Sequence, residues 1–471
     1  MKENKIYWLR EPIIVAAAII ILVITVIFPI YSLMILLGAI GILIIGKRPQ
    51  IVIKLMLLFI PFNIEFSSVI TPSRLLTFLS IISLAIFLII WKGRIKKTHL
   101  DLPIFIFLIA IQLSLYQSYD VGVSQRSFIT IISLVIRYYT VIILIQNTKQ
   151  FKEILNFYFA SVLFAGLFGI MQFIDYEMRL GLGLVNTVDL VGGYIRVTNY
   201  FLDANFYANY LIGSIPLTLS FILNNPTKKS NWFMKILLVI TLINLFLTFS
   251  RSAIVALTFG LFITFVYLKK YLNIKKMIFR TIILLPIIIL IIMNLPVFDY
   301  YINRIQLVAS TDDASIGNRL AVLISGLNIV LDNFFFGIGF ENTIFNVVNY
   351  ASPQYPITEG AIDVHNMHLK VFLETGLFGF LPYFYIWCAT IKKLKKAFIF
   401  HTDWYSRAFL QGSIGSILVM ITNGFMLSSL FAIENWVVYL GLSLAYLKLL
   451  KQEENNLHKK RERLIEKENY N

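Results

Sequence analysis

The sequence predicts an all-α integral membrane protein: a polytopic bundle of twelve to fourteen transmembrane helices with one large extracytoplasmic loop containing an amphipathic helix. Three observations predict it. The 471 residues are 58% hydrophobic and only 14% charged, with mean hydropathy +0.79. A soluble domain carries about 25% charged residues, so this chain cannot cover a water-facing surface. Apolar runs near the length that crosses a hydrocarbon core, about 20 residues, recur from end to end. The basic residues then fall in alternate loops.

Fourteen runs read as spans: 13–28, 31–46, 51–66, 74–91, 102–116, 128–146, 154–174, 205–223, 235–249, 252–268, 281–298, 367–391, 408–427 and 431–450. The pairs within 13–46 and 235–268 are short and set the lower count of twelve. The first run has a charged preface but no small-residue cleavage site, and it reads as a retained helix. Residues 1–450 form one membrane unit, with a loop over 299–366 and a mixed-charge, helical tail over 451–471. The lone cysteine, Cys388, excludes an intramolecular disulfide and any cysteine-cluster metal site.

The formal net charge of +16 would suggest nucleic acid in a soluble protein. Here it follows the positive-inside rule, and no nucleic-acid partner is expected. With the N-terminus inside, 31 Lys and Arg residues fall in inside loops and eight in outside loops, while Lys54 and Arg137 lie within spans. That split puts both termini in the cytoplasm. The inside set is mostly lysine, whereas the outside set is Arg74, Arg126, Arg179, Arg196, Arg251, Arg304, Arg319 and Lys370. Lysine suffices for orientation. Arginine adds a planar, permanently charged fork that matches phosphate and carboxylate oxygens.

Three outside regions are polar enough to build a site. The first, 175–205, holds four glycines, then Arg196 and Asn199-Tyr200-Phe201-Leu202-Asp203-Ala204-Asn205. The second is the turn Ser250-Arg251-Ser252 between two apolar spans. The third is the long insertion. Within it, 312–332 reads as an amphipathic helix with Leu320, Leu323, Ile324, Leu327 and Leu331 at helical spacing. Ser315 is its expected N-cap, Arg319 lies in its first turn, and Asn333 and Gly337 are stop signals. The helix is expected on the outer membrane surface or packed over the bundle. The insertion ends at His365-Asn366-Met367-His368, a polar mouth that runs into an apolar helix containing Gly376 and Gly379. Arg137 sits mid-span, where a charge faces a cavity or a partner.

Four of these places resemble the O-antigen ligase and O-antigen polymerase superfamily of bacterial envelope glycosyltransferases. His365-Asn366 followed by Gly376-x-x-Gly379 resembles the family's histidine motif before a late span. Arg319 with Leu323, then Gly337-Ile338-Gly339, resembles its R-x-x-x-L element in the large outer loop. Ser250-Arg251-Ser252 resembles its S-R-small turn. Asp203-Ala204-Asn205 resembles its D-P-N element, with alanine where the family often has proline. The resemblance covers about 160–390. It implies a GT-C-like helical fold in the cytoplasmic membrane, an outer-face active site and no metal ion. It also implies transfer of a glycan from an undecaprenyl diphosphate carrier to the hydroxyl of a glycan or lipid-linked acceptor.

The residues suit that chemistry. Breaking the glycosidic bond releases a multiply charged diphosphate, which preorganised cations stabilise. Arg196, Arg251 and Arg319 are the expected clamp, with Asp203 and Asn205 in support. His365 is the expected base or acceptor-positioning group, since imidazole is largely neutral near pH 7. A loop histidine capping the next helix is the bland alternative, although Asn366 is itself a strong N-cap. A metal at His365 and His368 would find only Asp363 or Glu374 as further ligands, so none is expected. No cofactor is implied. A lipid-linked glycan flippase or other polysaccharide transporter is the alternative function. It would carry charges inside the bundle and internal repeats, rather than one large one-sided loop.

Overall fold

A computed structural model of the chain describes residues 45–61, 72–93, 95, 97–184, 189–191, 194–201, 203–226, 232–271, 314–352, 357, 364–427 and 430–469. The spans expected at 13–28 and 281–298, and nearly all of 31–46, lie outside the described residues.

The described elements are α1 (Ile51–Phe59), α2 (Pro72–Ile89), α3 (Asp101–Ser114), α4 (Val121–Leu144), α5 (Thr148–Glu177), β1 (Asp189–Val191), β2 (Tyr194–Arg196), α6 (Ala204–Asn224), α7 (Trp232–Leu247), α8 (Arg251–Leu268), α9 (Ala314–Asp332), α10 (Thr343–Asn346), α11 (Met367–Phe400), α12 (Trp404–Gly424) and α13 (Leu430–Asn469). The fold is all-α and polytopic. Six described helices, α2, α4, α5, α6, α8 and α11, are long and apolar enough to cross a membrane, and α3 and α7 are shorter apolar helices. The expected pair within 235–268 is two helices, parted by a turn at Phe249, which takes φ +52°. The strands form one small antiparallel hairpin, with Asp189 opposite Arg196.

α6 is the centre of the bundle. Of the six spans it is the most buried, and it packs against α12, α7 and α8. Small residues allow the close approaches. A Cβ at Gly412 of α12 would come within 2.7 Å of the Leu217 backbone, and one at Gly260 of α8 within 2.5 Å of Val419. Such small-residue contacts are how helices associate without a hydrophobic driving force. Beside this centre, α11 packs on α3, α13 on α4, and α1 on α5.

The bundle has two chemically distinct ends. At one end, Arg407 donates to the carbonyl of Tyr271, Lys395 lies over the Tyr267 ring at 3.8 Å, and Lys152 lies over Tyr405 at 4.6 Å. Lys448 there donates to the carbonyls of Ile142, in the last turn of α4, and Ile145, its C-cap. At the other end, the starts of α6, α8 and α11 gather with the ends of α7 and α12.

The amphipathic helix expected over 312–332 is described as α9 from Ala314 to Asp332 and carries Arg319. Its two long faces differ in what covers them. Val322, Ser325 and Ile329 are buried against the bundle, while Leu320, Leu327 and Leu331 face outward.

Arg137 is buried in α4 and donates to Ser73 Oγ of α2 at 3.0 Å. It borders a small cavity whose walls include Met56, Ile60 and Val141. The described partner is a hydroxyl on a neighbouring helix, which suits a buried guanidinium in a bundle.

Candidate functional site

The polar end is built from two networks. The first centres on Arg196, the last residue of β2. Its Nε donates to the carbonyl of Thr248 at 3.0 Å and its terminal amine to Asn205 Oδ1 at 3.2 Å. The same Asn205 oxygen accepts from Ser250 Oγ at 2.8 Å. Ser250 also shares a hydrogen bond with Ser252. Asp203 is the N-cap of α6 and accepts from the Asn205 backbone N–H, the position where an aspartate oxygen satisfies an orphan amide. Val197 N–H, donating to the Leu247 carbonyl at 2.9 Å, ties the strand to the end of α7.

Arg196, Asp203, Asn205 and the 248–252 turn therefore form one connected unit, with half-buried Arg251 as the first residue of α8. The helix start matters: the N–H groups of a first helical turn point outward along the axis and, with the helix dipole, favour an anion. Beneath the strand, Gln172 of α5 both donates to and accepts from the Asn199 backbone, and Asn199 donates to the Ala165 carbonyl. Asp175 accepts from the backbone amides of Leu182 and Leu184. Buried side chains of α5 thus set the shape of the glycine-bearing segment before Arg196.

The second network belongs to the long loop and α11. Asn366 caps α11, accepting from the Leu369 amide at 3.0 Å. The capping task therefore falls to Asn366. His365 is half-buried with φ +48°. A non-glycine residue held there costs about 1–3 kcal/mol, and such strain clusters at functional sites. Six described non-glycine residues have positive φ, and five of them, Arg179, Asn199, Phe249, Glu341 and His365, lie at this polar end.

Arg319 is exposed in α9, which rests on α11. A Cβ at Gly326 would lie 3.1 Å from Leu369 and 3.5 Å from Val364, the residue before His365. Arg319 and His365 thus share the α9–α11 unit, while Arg196 and Arg251 share the first network.

His368 is structural. Its Nε2 lies 2.8 Å from the Ile421 carbonyl and so must donate there. The neutral ring then accepts at Nδ1 from the Tyr383 hydroxyl, 3.0 Å away. The ring packs at 4.5 Å from Phe425 and abuts Gly424. Both nitrogens are committed, so the imidazole stitches α11 to α12.

A third group was not legible as a unit. Lys370 pairs with Glu341 at 2.9 Å. Glu374, fully buried, accepts from the hydroxyl and backbone N–H of Thr343. Glu374 inside an apolar run was the available signal, since ionisable residues in spans are seldom idle. Among the described residues, no group of three or more His, Cys, Asp or Glu side chains could hold a metal ion.

Fold and site together define a polytopic helical membrane protein in which Arg196, Arg251, Arg319 and a strained histidine sit at the end opposite Lys152, Lys395 and Lys448. Residues 236–384 match the family model for O-antigen ligase. The match supports the O-antigen ligase and polymerase superfamily that the motifs resemble, and with it an O-antigen ligase- or polymerase-type membrane enzyme. It spans Arg251, Arg319, His365 and Asn366; Arg196, Asp203 and Asn205 precede it. No curated protein matches the chain.

Proposed function

We propose that the protein is a glycosyltransferase that polymerises or ligates an undecaprenyl-diphosphate-linked glycan on the outer face of the cytoplasmic membrane. The observation that carries this reading is the Arg196–Asn205–Ser250 network joined to the Arg251 helix start. It fixes the Arg196 guanidinium in direction and ties it through Asn205 and Ser250 to the helix start that carries Arg251. A diphosphate leaving group needs preorganised positive charge of that kind.

In the proposed reaction an acceptor hydroxyl attacks the anomeric carbon. The bond from that carbon to the diphosphate oxygen breaks, and the electron pair leaves with the lipid diphosphate. The hydroxyl proton passes to His365. Arg196, Arg251 and Arg319 stabilise the departing charge in place of a metal ion, and the strained backbone of His365 holds its ring toward the acceptor. The acceptor is a second lipid-linked glycan in a polymerase, or a lipid core, protein or wall polymer in a ligase. The lysine-rich end then faces the cytoplasm and the arginine end the outside, in line with the charge distribution.

The test is transfer by purified protein in EDTA with a lipid-diphosphate glycan as donor. The proposal expects turnover in EDTA and its loss in Arg319→Ala. Strict metal dependence, or full activity in Arg319→Ala, would overturn it.

A further inference from the structure

The leucine stripe of α9 faces away from the bundle it packs on. Leu320, Leu327 and Leu331 are 43%, 50% and 75% exposed. At about 100° per residue these three fall within one narrow sector, and buried Val322 and Ile329 fall opposite. The helix is therefore apolar on two faces. A helix in water presents one apolar stripe to its core and a polar face outward. α9 has the packed face but lacks a polar outer one.

The outward stripe continues beyond the helix. Phe334, Phe335 and Phe336 follow in the turn after α9 and all are exposed. Phe336 stacks on Phe378 of α11 with ring centroids 5.4 Å apart, and Phe335 lies 6.4 Å from the same ring. Phe378 is itself exposed, as are Leu381 and Tyr385 at helical spacing on the same span. Exposed apolar side chains along a membrane-spanning helix face lipid. The α9 stripe, the phenylalanine turn and the outer side of α11 thus form one continuous apolar surface. In water it would be an association liability.

We propose that α9 and the Phe334–Phe336 turn are a lipid-embedded element, with the leucine stripe in the acyl-chain border of the leaflet on the loop side. The occupant of this surface is membrane lipid, because the surface is continuous with the lipid-facing side of a spanning helix. Interfacial helices bind in this way, apolar face down with charge at the headgroup level. Arg319 lies one residue, about 100°, around the helix from Leu320, so embedding holds its guanidinium at the depth where lipid phosphates lie. The inference rests on membrane insertion alone and stands whatever reaction the protein performs.

Carbene photolabelling of the unmodified protein tests it. The protein is reconstituted in phosphatidylcholine vesicles that contain a diazirine-bearing phosphatidylcholine, and parallel samples receive a water-soluble diazirine. Peptides are then read by mass spectrometry. The proposal expects lipid labelling across 320–336 at the level of Phe378–Tyr385 and several-fold above the solvated end of α13. Preferential labelling of 320–336 by the aqueous probe would overturn it. Protection from both probes would also overturn it, because a second protein surface would then cover the stripe. A second measurement uses Cys388→Ser protein carrying Leu327→Cys with an environment-sensitive fluorophore. Quenching by spin-labelled lipid is expected; quenching by iodide alone would contradict the proposal.

Discussion

Gly337 and Gly376 meet across a backbone pairing that joins the long loop to a break in α11. Ile338 and Gly339 donate to the carbonyls of Leu373 and Glu374, and Leu377 and Phe378 donate to those of Phe334 and Phe335. Gly376 takes φ +62° inside α11 and Gly337 φ +70°. A Cβ on Gly376 would lie 2.2 Å from the Phe335 carbonyl carbon, and one on Gly337 would lie 2.3 Å from that of Glu374. The two glycine motifs are halves of one joint. It holds the loop bearing Arg319 against the helix that begins beside His365.

Alanine at either glycine should therefore loosen the joint. The positive φ alone costs about 1–2 kcal/mol for an L-residue, and the backbone clash adds to it. Gly337→Ala and Gly376→Ala should lower the melting temperature in detergent. Gly317→Ala is the control: Gly317 is exposed near the start of α9, and no described neighbour lies within 4 Å of its Cβ position, so it should be neutral or stabilise by about 0.5–1 kcal/mol. Equal melting of all three variants would show that the joint carries no strain.

The Arg196 network predicts a graded series. Arg196→Ala should cost about 100- to 1,000-fold in rate, as does removal of a preorganised charge contact. Asn205→Ala leaves the guanidinium in place without its guide. It should cost about 10- to 100-fold, the worth of a hydrogen bond to a charged group. Arg196→Lys cannot reach both Thr248 and Asn205 in fork geometry and should resemble the alanine variant. Initial rates at saturating donor, with melting temperatures alongside, separate these outcomes from unfolding.

The two histidines should fail differently. His365→Ala should lose about 100- to 10,000-fold in rate if it takes the acceptor proton, at nearly unchanged melting temperature. His368→Ala removes the link from Tyr383 to Ile421, so stability should fall. Asn366→Ala should cost about 1 kcal/mol of stability as a lost cap. A rate loss confined to His368 would reverse the assignment.

Glu374 should tolerate amidation but not truncation. Glu374→Gln keeps the oxygen that accepts from Thr343, whereas Glu374→Ala strands the Thr343 hydroxyl and opens a cavity. The glutamine variant should stay close to wild type in stability and the alanine variant should lose about 2–5 kcal/mol, read as a lowered melting temperature. Thr343→Val, which removes the donor, should fall in the same direction.

The polytopic all-α character and the spans that coincide with described long apolar helices were legible because apolar runs are local signals. The split of 235–268 was legible in Ser250-Arg251-Ser252, since a polar tripeptide inside an apolar stretch marks a turn. The co-location of Arg196, Asn205 and Ser250 could be named by motif but not by geometry, because those contacts span up to 45 residues. The glycine joint left no periodic trace: its pairing links residues far apart and only the glycines hint at it. The outward direction of the leucine stripe was illegible for a different reason. Helical spacing shows that a face is apolar and says nothing about what covers it, and α9 also has a small-residue face through Ala321, Ser325 and Gly326 that packs more closely.

The most direct measurement is glycan transfer from an undecaprenyl-diphosphate donor by purified protein in EDTA, comparing wild type with Arg251→Ala. The account predicts product with stoichiometric release of undecaprenyl diphosphate from wild type, and a loss of about 100-fold or more in the folded variant. Equal rates in the two proteins, or no transfer until a divalent metal is added, would contradict it.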